Sequence, residues 1–280
     1  MRVGSYEVST VTAEWFRLDG GAMFGVVPRP MWEKTNSPDA RNRILLAARV
    51  VLLQGDGRVA IIDAGCGGKE PEKFRDIYAI DRRPGLPDAL AAIGVPRERV
   101  TDVVLSHLHF DHAGGGTERD GDRLVPTFPR ATYHVQRANL EHARTPNERD
   151  RASYFAENFV PLEEAGVLRA HGPDDEILPG VFARVIDGHT PGQQMLAIGE
   201  GAGSVVFSGD LVPTASHLPI PYVMGYDLEP LKAMAEKRRW LGEWAERGTV
   251  VVFDHDPEMA AARIAVGPRG YHVVAERVEL

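Results

Sequence analysis

Two apolar runs near residue 50 have the composition of β-strands. ILLAARVVLL at 44–53 and VAIID at 59–63 are rich in Val, Ile and Leu, which are residues suited to a sheet. The residues between the runs include Asp56 and Gly57, and an Asp-Gly step favours the tight turn of a β-hairpin. The pattern therefore predicts two antiparallel strands, the second of which ends at the carboxylate Asp63.

Downstream, helical and extended patterns alternate. Residues 86–93 have helical spacing before Gly94, and 103–106 form an apolar extended run. Further strands are predicted at 132–135, 182–186, 205–207 and 250–253, and helices at about 137–144, 148–165 and 229–246. Each of the last three strands is followed by a His or an Asp. Strands interleaved with helices predict α/β layering, with polar residues gathered at one edge.

Residues 20–36 do not fit this alternation. They are rich in Gly and Pro, with Met23, Phe24, Met31 and Trp32 between them. We interpret the segment as a structured loop that either packs on its own domain, forms a lip over an active site, or makes a dimer contact. The chain length suits one domain, 1–280, with an N-terminal extension before the first hairpin.

Composition narrows the class of partner. The formal net charge is -8 and the basic residues are interspersed with acidic ones, which argues against nucleic-acid binding. One cysteine, Cys66, allows neither an intrachain disulfide nor a cysteine-based zinc cluster. No signal-peptide pattern and no apolar run of membrane-spanning length is evident. We expect a cytoplasmic protein that does not bind membranes and holds any metal through His and carboxylates.

The densest set of potential metal ligands is SHLHFDHAGG at 106–115. Residues two apart in an extended segment project to the same side, so His107 and His109 can bind one ion together. Asp111 and His112 then fall on the next bend, facing a second ion. Three more candidates follow predicted strands: His189 in GHTPG, Asp210 in FSGD, and His255 in FDH.

These motifs, in this order, resemble the metallo-β-lactamase superfamily. The resemblance implies an αββα sandwich, with two mixed β-sheets face to face and helices outside. It also implies two divalent metal ions, usually zinc, with iron, manganese or cobalt as alternatives. Carried over by position, His107, His109 and His189 bind the first ion; Asp111, His112 and His255 bind the second; Asp210 bridges both. Asp63 matches a strand-end Asp that orients a ligand from behind.

The implied chemistry is hydrolysis by a metal-bridging hydroxide, with Asp111 passing a proton to the leaving group. The spacing of the motifs is most similar to the N-acyl homoserine lactonases and the related organophosphate and aryl-ester hydrolases. Many lactonases have a Tyr three residues after the bridging Asp, where this chain has Pro213; Tyr222 or Tyr226 could substitute for it. A glyoxalase II-like thioesterase and a non-catalytic ligand-sensing protein of the same fold are the alternatives.

The expected substrate is a small, hydrophobic carbonyl compound. Candidate pocket residues come from the 20–36 segment and from the stretch after Asp210: Phe24, Trp32, His217 and Tyr222. We also predict a homodimer, because Met23, Phe24, Met31 and Trp32 look exposed in sequence and because of the lactonase resemblance.

Overall fold

The computed structural model describes residues 1–268, 270–278 and 280, and for 273–277 the backbone alone. In this part of the chain there are sixteen strands: β1 Arg2–Val3, β2 Tyr6–Asp19, β3 Arg43–Gly55, β4 Arg58–Ile62, β5 Asp102–Val104, β6 Thr117–Asp120, β7 Arg123–Pro126, β8 Thr132–Gln136, β9 Leu168–His171, β10 Glu176–Leu178, β11 Val181–Val185, β12 Gln194–Ile198, β13 Val205–Phe207, β14 Val250–Val252, β15 Ala261–Gly267 and β16 Gly270–Arg277. The α-helices there are α1 Gly20–Phe24, α2 Arg29–Trp32, α3 Glu72–Tyr78, α4 Leu86–Ala92, α5 Phe110–Ala113, α6 Arg137–Arg144, α7 Val160–Glu164 and α8 Pro230–Arg247.

The predicted hairpin is β3 and β4, which pair antiparallel from Val51 with Ile62 to Gly55 with Arg58. Asp56 and Gly57 turn the chain between them with φ of 52° and 70°, as a tight hairpin turn requires. The hairpin lies inside a seven-stranded sheet of order β1-β2-β3-β4-β5-β8-β9. The pairs β4–β5, β5–β8 and β8–β9 are parallel, so their carboxyl ends share one edge.

A second seven-stranded sheet has the order β10-β11-β12-β13-β14-β15-β16. Its strands run antiparallel to their neighbours except for β13 and β14, which are parallel. The crossover between these two strands contains α8, the longest described helix. Both strands therefore end at the same edge, where Asp210 and His255 follow them.

Alternation along the strands separates three apolar layers. Val51 of β3 and Phe207 of β13 lie in a cluster between the two sheets. Leu52, on the other face of β3, packs with Leu90 of α4 outside the first sheet, and Trp244 of α8 packs outside the second. Helices thus cover both outer faces, and the predicted αββα sandwich is confirmed.

One helix prediction is wrong. Residues 148–165 form turns, a short 3-10 helix and only then α7. The Asn147 side chain accepts hydrogen bonds from the backbone N–H groups of Arg149 and Asp150, which favours a turn over a continuing helix. Pro161 lies in the first turn of α7, a position that proline tolerates although it would break a helix interior. Apolar spacing across this stretch therefore indicated a helix that the backbone cannot form.

The 20–36 segment is more ordered and more buried than predicted. It folds as α1 and α2, and Met23, Phe24 and Trp32 are buried, whereas Met31 is half exposed. The glycine at 20 is required by packing, because a Cβ there would lie 2.4 Å from the Trp32 ring. Of the four apolar side chains on which the dimer prediction relied, three therefore belong to the core, and the dimer stays a prediction. Within the described residues, no helix is long and apolar enough to cross a membrane.

Candidate metal centre

The candidate site lies where strands of both sheets end. His107 follows β5, Asp210 follows β13 and His255 follows β14. His109 precedes α5, whose single turn carries Asp111 and His112. The GHTPG loop after β11 brings in His189. The structure thus gathers all seven predicted ligands at one edge of the sandwich.

Two glycines let the α5 segment approach the end of β4. A Cβ on Gly114 would lie 2.0 Å from the Cys66 carbonyl oxygen, and one on Gly115 would lie 2.1 Å from that of Ala64. The Ala64 N–H donates to the His112 carbonyl at 2.7 Å. Close backbone approach, more than unusual backbone angles, explains the glycines after the motif.

The first group of ligands is the one predicted. His107, His109, His189 and Asp210 each offer one atom, and these atoms all lie within 4.8 Å of one another. The Nε2 atom of His189 lies 3.1 Å from His109 Nδ1 and 3.0 Å from Asp210 Oδ2. All four residues are buried. Three imidazoles and one carboxylate suit a tetrahedral zinc site.

The second group differs in one member. His112, Asp210, Asp254 and His255 lie within the same mutual limit. Asp111 lies at the edge of this group, with its carboxylate oxygens 3.6 Å from His255 Nε2 and 3.9 Å from His112 Nε2. Asp210 belongs to both groups, in agreement with its predicted bridging position.

Behind the ligands, hydrogen bonds fix the imidazole rings. His112 Nδ1 donates to Asp63 at 2.7 Å, and His189 Nδ1 donates to Asp227 at 2.9 Å. His255 Nδ1 donates to the Ala47 carbonyl at 2.8 Å, and His107 Nδ1 to the Ser106 hydroxyl at 3.0 Å. Each ring therefore turns its Nε2 towards the centre, the arrangement typical of metal-bound histidines.

The pKa values of the ligand side chains show that the centre needs positive charge around Asp210. Burial and neighbouring imidazoles hold the pKa of His107 and His109 well below the usual range. Burial also disfavours the charged form of His189, but Asp210 and Asp227 outweigh it and raise its pKa to about 10. Burial opposes ionisation of Asp210, yet His189 and His112 keep its pKa well below the usual range. In the metal-free protein, protons therefore supply positive charge around Asp210, and a cation would displace them.

The donor set fits metal ions. His107 Nε2 and Asp210 Oδ1 are buried and have no hydrogen-bond partner among the described residues. Leaving buried polar atoms unpaired is costly. Both atoms face other ligands, because His107 Nε2 lies 3.8 Å from Asp210 Oδ2 and Asp210 Oδ1 lies 3.2 Å from His255 Nε2. Divalent cations would satisfy them, with His107, His109, His189 and Asp210 holding one ion and His112, His255, Asp210 and a further carboxylate holding the other.

Comparison with known proteins agrees with this geometry. The model of the metallo-β-lactamase superfamily matches residues 44–255. The chain belongs to this superfamily. An N-acyl homoserine lactonase from Bacillus sp is 31% identical over 172 residues, 60% of this chain and 61% of that protein. The chain thus spans about three fifths of the length of that lactonase. The lactonase AttM of Rhizobium radiobacter is 28% identical over 207 residues, 70% of this chain and 73% of that protein.

Two solved structures superpose on nearly the whole chain. A probable metal-dependent hydrolase from Staphylococcus aureus has a TM-score of 0.89 and 28% identity, covering 99% of this chain and 100% of that one. The dizinc quorum-quenching lactonase AidC has a TM-score of 0.82 at 18% identity, covering 99% and 97%; this second likeness concerns the fold alone. The predicted family and fold are confirmed. The prediction of a metal-dependent hydrolase agrees with the descriptions of these two structures.

A cavity of about 250 Å³ opens beside the ligands. Part of its wall is apolar, from Leu18, Met23, Phe110 and Met224. The remaining lining residues are Tyr78, His109, Asp111, Arg149, Asp150, Ser153, His189, Asp210, Gly225, Tyr226 and His255. The exposed Arg149 donates to the Gly225 carbonyl at 2.5 Å. The cavity thus joins the candidate centre to a mainly apolar and aromatic wall.

The four predicted pocket residues do not line this cavity in the described part of the chain. Phe24 stacks on both Trp32 and His217, and its ring centroid lies 5.5 Å and 4.5 Å from theirs. Tyr222 meets Phe24 edge-on at 6.2 Å. The rings form a layer behind Met23, whose carbonyl accepts a hydrogen bond from His217. Their size and apolarity, which suggested a substrate contact, serve packing instead.

Pro213, at the position where many lactonases have a Tyr, is buried, and its carbonyl accepts from the His255 backbone N–H at 2.9 Å. Other residues of the site were not predicted from the sequence. Asp227 supports His189, although it lies in no recognisable motif. Tyr154 packs edge-on against His109 at 4.6 Å. Asp254 could have been suspected, because it directly precedes a predicted ligand.

Proposed function

We propose that the chain is a dinuclear metal-dependent hydrolase that cleaves lactones or esters with hydrophobic substituents. The observation that carries the proposal is that two metal-binding groups share Asp210, and that Asp210 lines the 250 Å³ cavity. Two divalent ions held there would supply an activated water and a positive charge for a carbonyl oxygen. Relatedness to N-acyl homoserine lactonases supports the substrate class.

The protein's own residues position the substrate and move the proton. Asp111 lines the cavity beside His255, so its carboxylate can take the proton of the attacking water and give it to the leaving alkoxide. Tyr226 also lines the cavity, and burial together with nearby charges, including Asp111 and Asp210, raises its pKa. It therefore stays protonated and can donate a hydrogen bond to the substrate.

The apolar wall defines the substrate further. Leu18, Phe110 and Met224 can cover an acyl chain or an aryl group, and Arg149 is the only Lys or Arg among the lining residues of the described chain. Such a wall favours an uncharged substrate, because outside the metal centre an anion would find one exposed guanidinium and no buried Lys or Arg. Lactones and aryl esters fit this description better than β-lactams, whose carboxylate needs an anchor.

The test is a hydrolysis panel on metal-quantified protein. Lactones of several chain lengths, aryl esters, thioesters, a penicillin and a phosphotriester are compared at equal metal content. We expect the highest kcat/KM for lactones or aryl esters, with no strict preference for one acyl homoserine lactone. Turnover confined to thioesters or to penicillin would contradict the proposed substrate class, and inactivity of the two-metal protein towards the whole panel would contradict hydrolysis.

A further inference from the structure

Asp254 is a buried acid that the family motifs do not assign. It follows β14 and directly precedes His255. Its exposed fraction is 1%. Burying a carboxylate is costly unless the charge is compensated, so its position calls for a partner.

No hydrogen-bond donor of the described chain meets that need. Both carboxylate oxygens of Asp254 lack a hydrogen-bond partner. A cation is close by, because the buried Arg49 guanidinium donates to the backbone carbonyls of Phe253 and Asp256. Those bonds hold the backbone on both sides of Asp254 and leave its carboxylate oxygens unpaired. The neighbouring Arg49 thus fixes the segment without hydrogen-bonding the acid.

The carboxylate points into the second ligand group. Its Oδ2 lies 3.7 Å from His255 Nε2. One oxygen of Asp254 lies within 4.8 Å of the ligand atoms of His112, Asp210 and His255. Four buried potential metal ligands, two of them carboxylates, lie as close together here as the ligands of a metal site do.

We propose that Asp254 is a further ligand of the second metal ion. The proposal rests on the metal-binding part of the proposed function and not on its substrate. It makes the two subsites unequal: the first has three imidazoles and Asp210, whereas the second has two imidazoles, Asp210, Asp254 and the nearby Asp111. Carboxylate-rich sites suit harder ions such as Mn²⁺ better than imidazole-rich sites do. The second subsite should therefore accept Mn²⁺ more readily than the first.

The experiment measures metal binding by Asp254→Asn. Zn²⁺ content and the two stepwise affinities are determined by elemental analysis in buffers of fixed free Zn²⁺. We expect wild type to bind two ions, and the variant to keep the first affinity while the second falls by about tenfold or more, since even residues behind the ligands are worth about 10–100-fold in affinity. With one Zn²⁺ already bound, Mn²⁺ should fill the second subsite of wild type and bind the variant at least tenfold more weakly.

Asp256→Asn is the matched control. Asp256 lies two residues further along and accepts hydrogen bonds from the backbone N–H groups of Ala215, Glu258 and Met259. The substitution removes a negative charge from the same segment without removing an oxygen from the ligand group. It should leave the second affinity within a few-fold of wild type.

Stability separates ligation from a packing role. Asparagine keeps the shape of Asp254 and removes a buried carboxylate whose oxygens have no hydrogen-bond donor among the described residues, so metal-free Asp254→Asn should have a Tm equal to or above that of metal-free wild type. The rise in Tm that Zn²⁺ produces should be smaller in the variant. A purely structural Asp254 would instead lower the Tm of both forms. Asp254→Glu, which keeps a carboxylate, should recover much of the second-ion affinity.

Failure of the proposal and failure of the proposed function can be told apart. If wild type binds two ions and Asp254→Asn binds the second as tightly, Asp254 is not a ligand, while the two-metal hydrolase stands. A fall of equal size in Asp256→Asn, or a lower Tm in metal-free Asp254→Asn, would also overturn the ligand role. Wild type that binds one ion or none would overturn both proposals.

Discussion

The metal centre and the wall of its cavity are built in different ways. In the centre, imidazoles are fixed from behind by Asp63, Asp227 and the Ala47 carbonyl. The wall consists of side chains from β2, α1, α3, α5 and the loops near 150 and 225, supported by stacked rings. Hydrogen bonds hold the metal-ligand side chains in position at the strand ends, whereas the packing of loops and aromatic rings determines the shape of the substrate cavity. The comparison predicts that substitutions in the two regions change different measurable quantities.

The largest effect is expected at the residue shared by both ligand groups. Asp210→Ala should lower kcat/KM by roughly 1000-fold or more, because even residues that only support ligands are worth about 10–100-fold. Elemental analysis should show loss of both ions, whereas replacing a single His should affect mainly one. Asp120→Ala, at an exposed position in β6, is the charge-matched control. Near-wild-type turnover and metal content in Asp210→Ala would contradict the bridging assignment.

Trp32 tests whether the ring layer belongs to the core or to the pocket. Its side chain is 1% exposed, so Trp32→Ala should lower the free energy of unfolding by about 3–5 kcal/mol with little change in KM. The neighbouring Met31 is half exposed, and Met31→Ala should stay within about 0.5 kcal/mol of wild type. Both are measured by chemical denaturation of metal-loaded protein. A stable Trp32→Ala variant with a raised KM would restore Trp32 to the pocket.

The same division explains what could be predicted from sequence. His107, His109, Asp111 and His112 lie within six residues, and their type and spacing after a strand specify metal ligation almost independently of the rest. The strand and helix pattern also predicted α/β layering, because the periodicity of apolar residues follows burial. The two-sheet sandwich was implied by the family resemblance and not by this pattern.

Most of the wall could not be predicted, because its members are brought together only by the tertiary fold. Met23 of the 20–36 segment and Tyr226 are the wall residues that the sequence had suggested. A large apolar residue such as Trp32 or Phe24 has the same composition whether it faces substrate or core. Asp227 supports a ligand from 38 positions further along the chain, a separation that carries no local pattern. The break in the predicted helix at 148–165 depends on the Asn147 side chain, which competes with helical hydrogen bonding only in the folded turn.

Asp227 contacts both the metal centre and the cavity wall, so a substitution there tests whether the two regions are independent. One oxygen accepts from His189 and the other accepts from the Met224 backbone N–H at 2.9 Å, next to the cavity wall. Asp227→Asn should weaken metal binding by about 10–100-fold and should also change KM measured at saturating metal. Glu229→Gln, an exposed change two residues away, is the control. If metal affinity falls while KM holds constant, the two regions are independent even here.

The smallest effect is expected for a phenol of the cavity wall. Tyr226 lines the cavity, whereas Tyr222 packs on Phe24 outside it, so the two phenols form a matched pair. Losing one hydrogen bond to substrate costs about 0.5–1.5 kcal/mol, and Tyr226→Phe should therefore lower kcat/KM by up to about tenfold with both ions retained. Tyr222→Phe should have little effect.

Because the pKa of Tyr226 is raised by burial and by nearby charges, its hydroxyl stays protonated throughout the assay range. Tyr226→Phe should therefore lower kcat/KM equally from pH 6 to pH 9. A larger loss in Tyr222→Phe would move the substrate contact to Tyr222, and a loss of metal in Tyr226→Phe would show that the wall also holds the centre together.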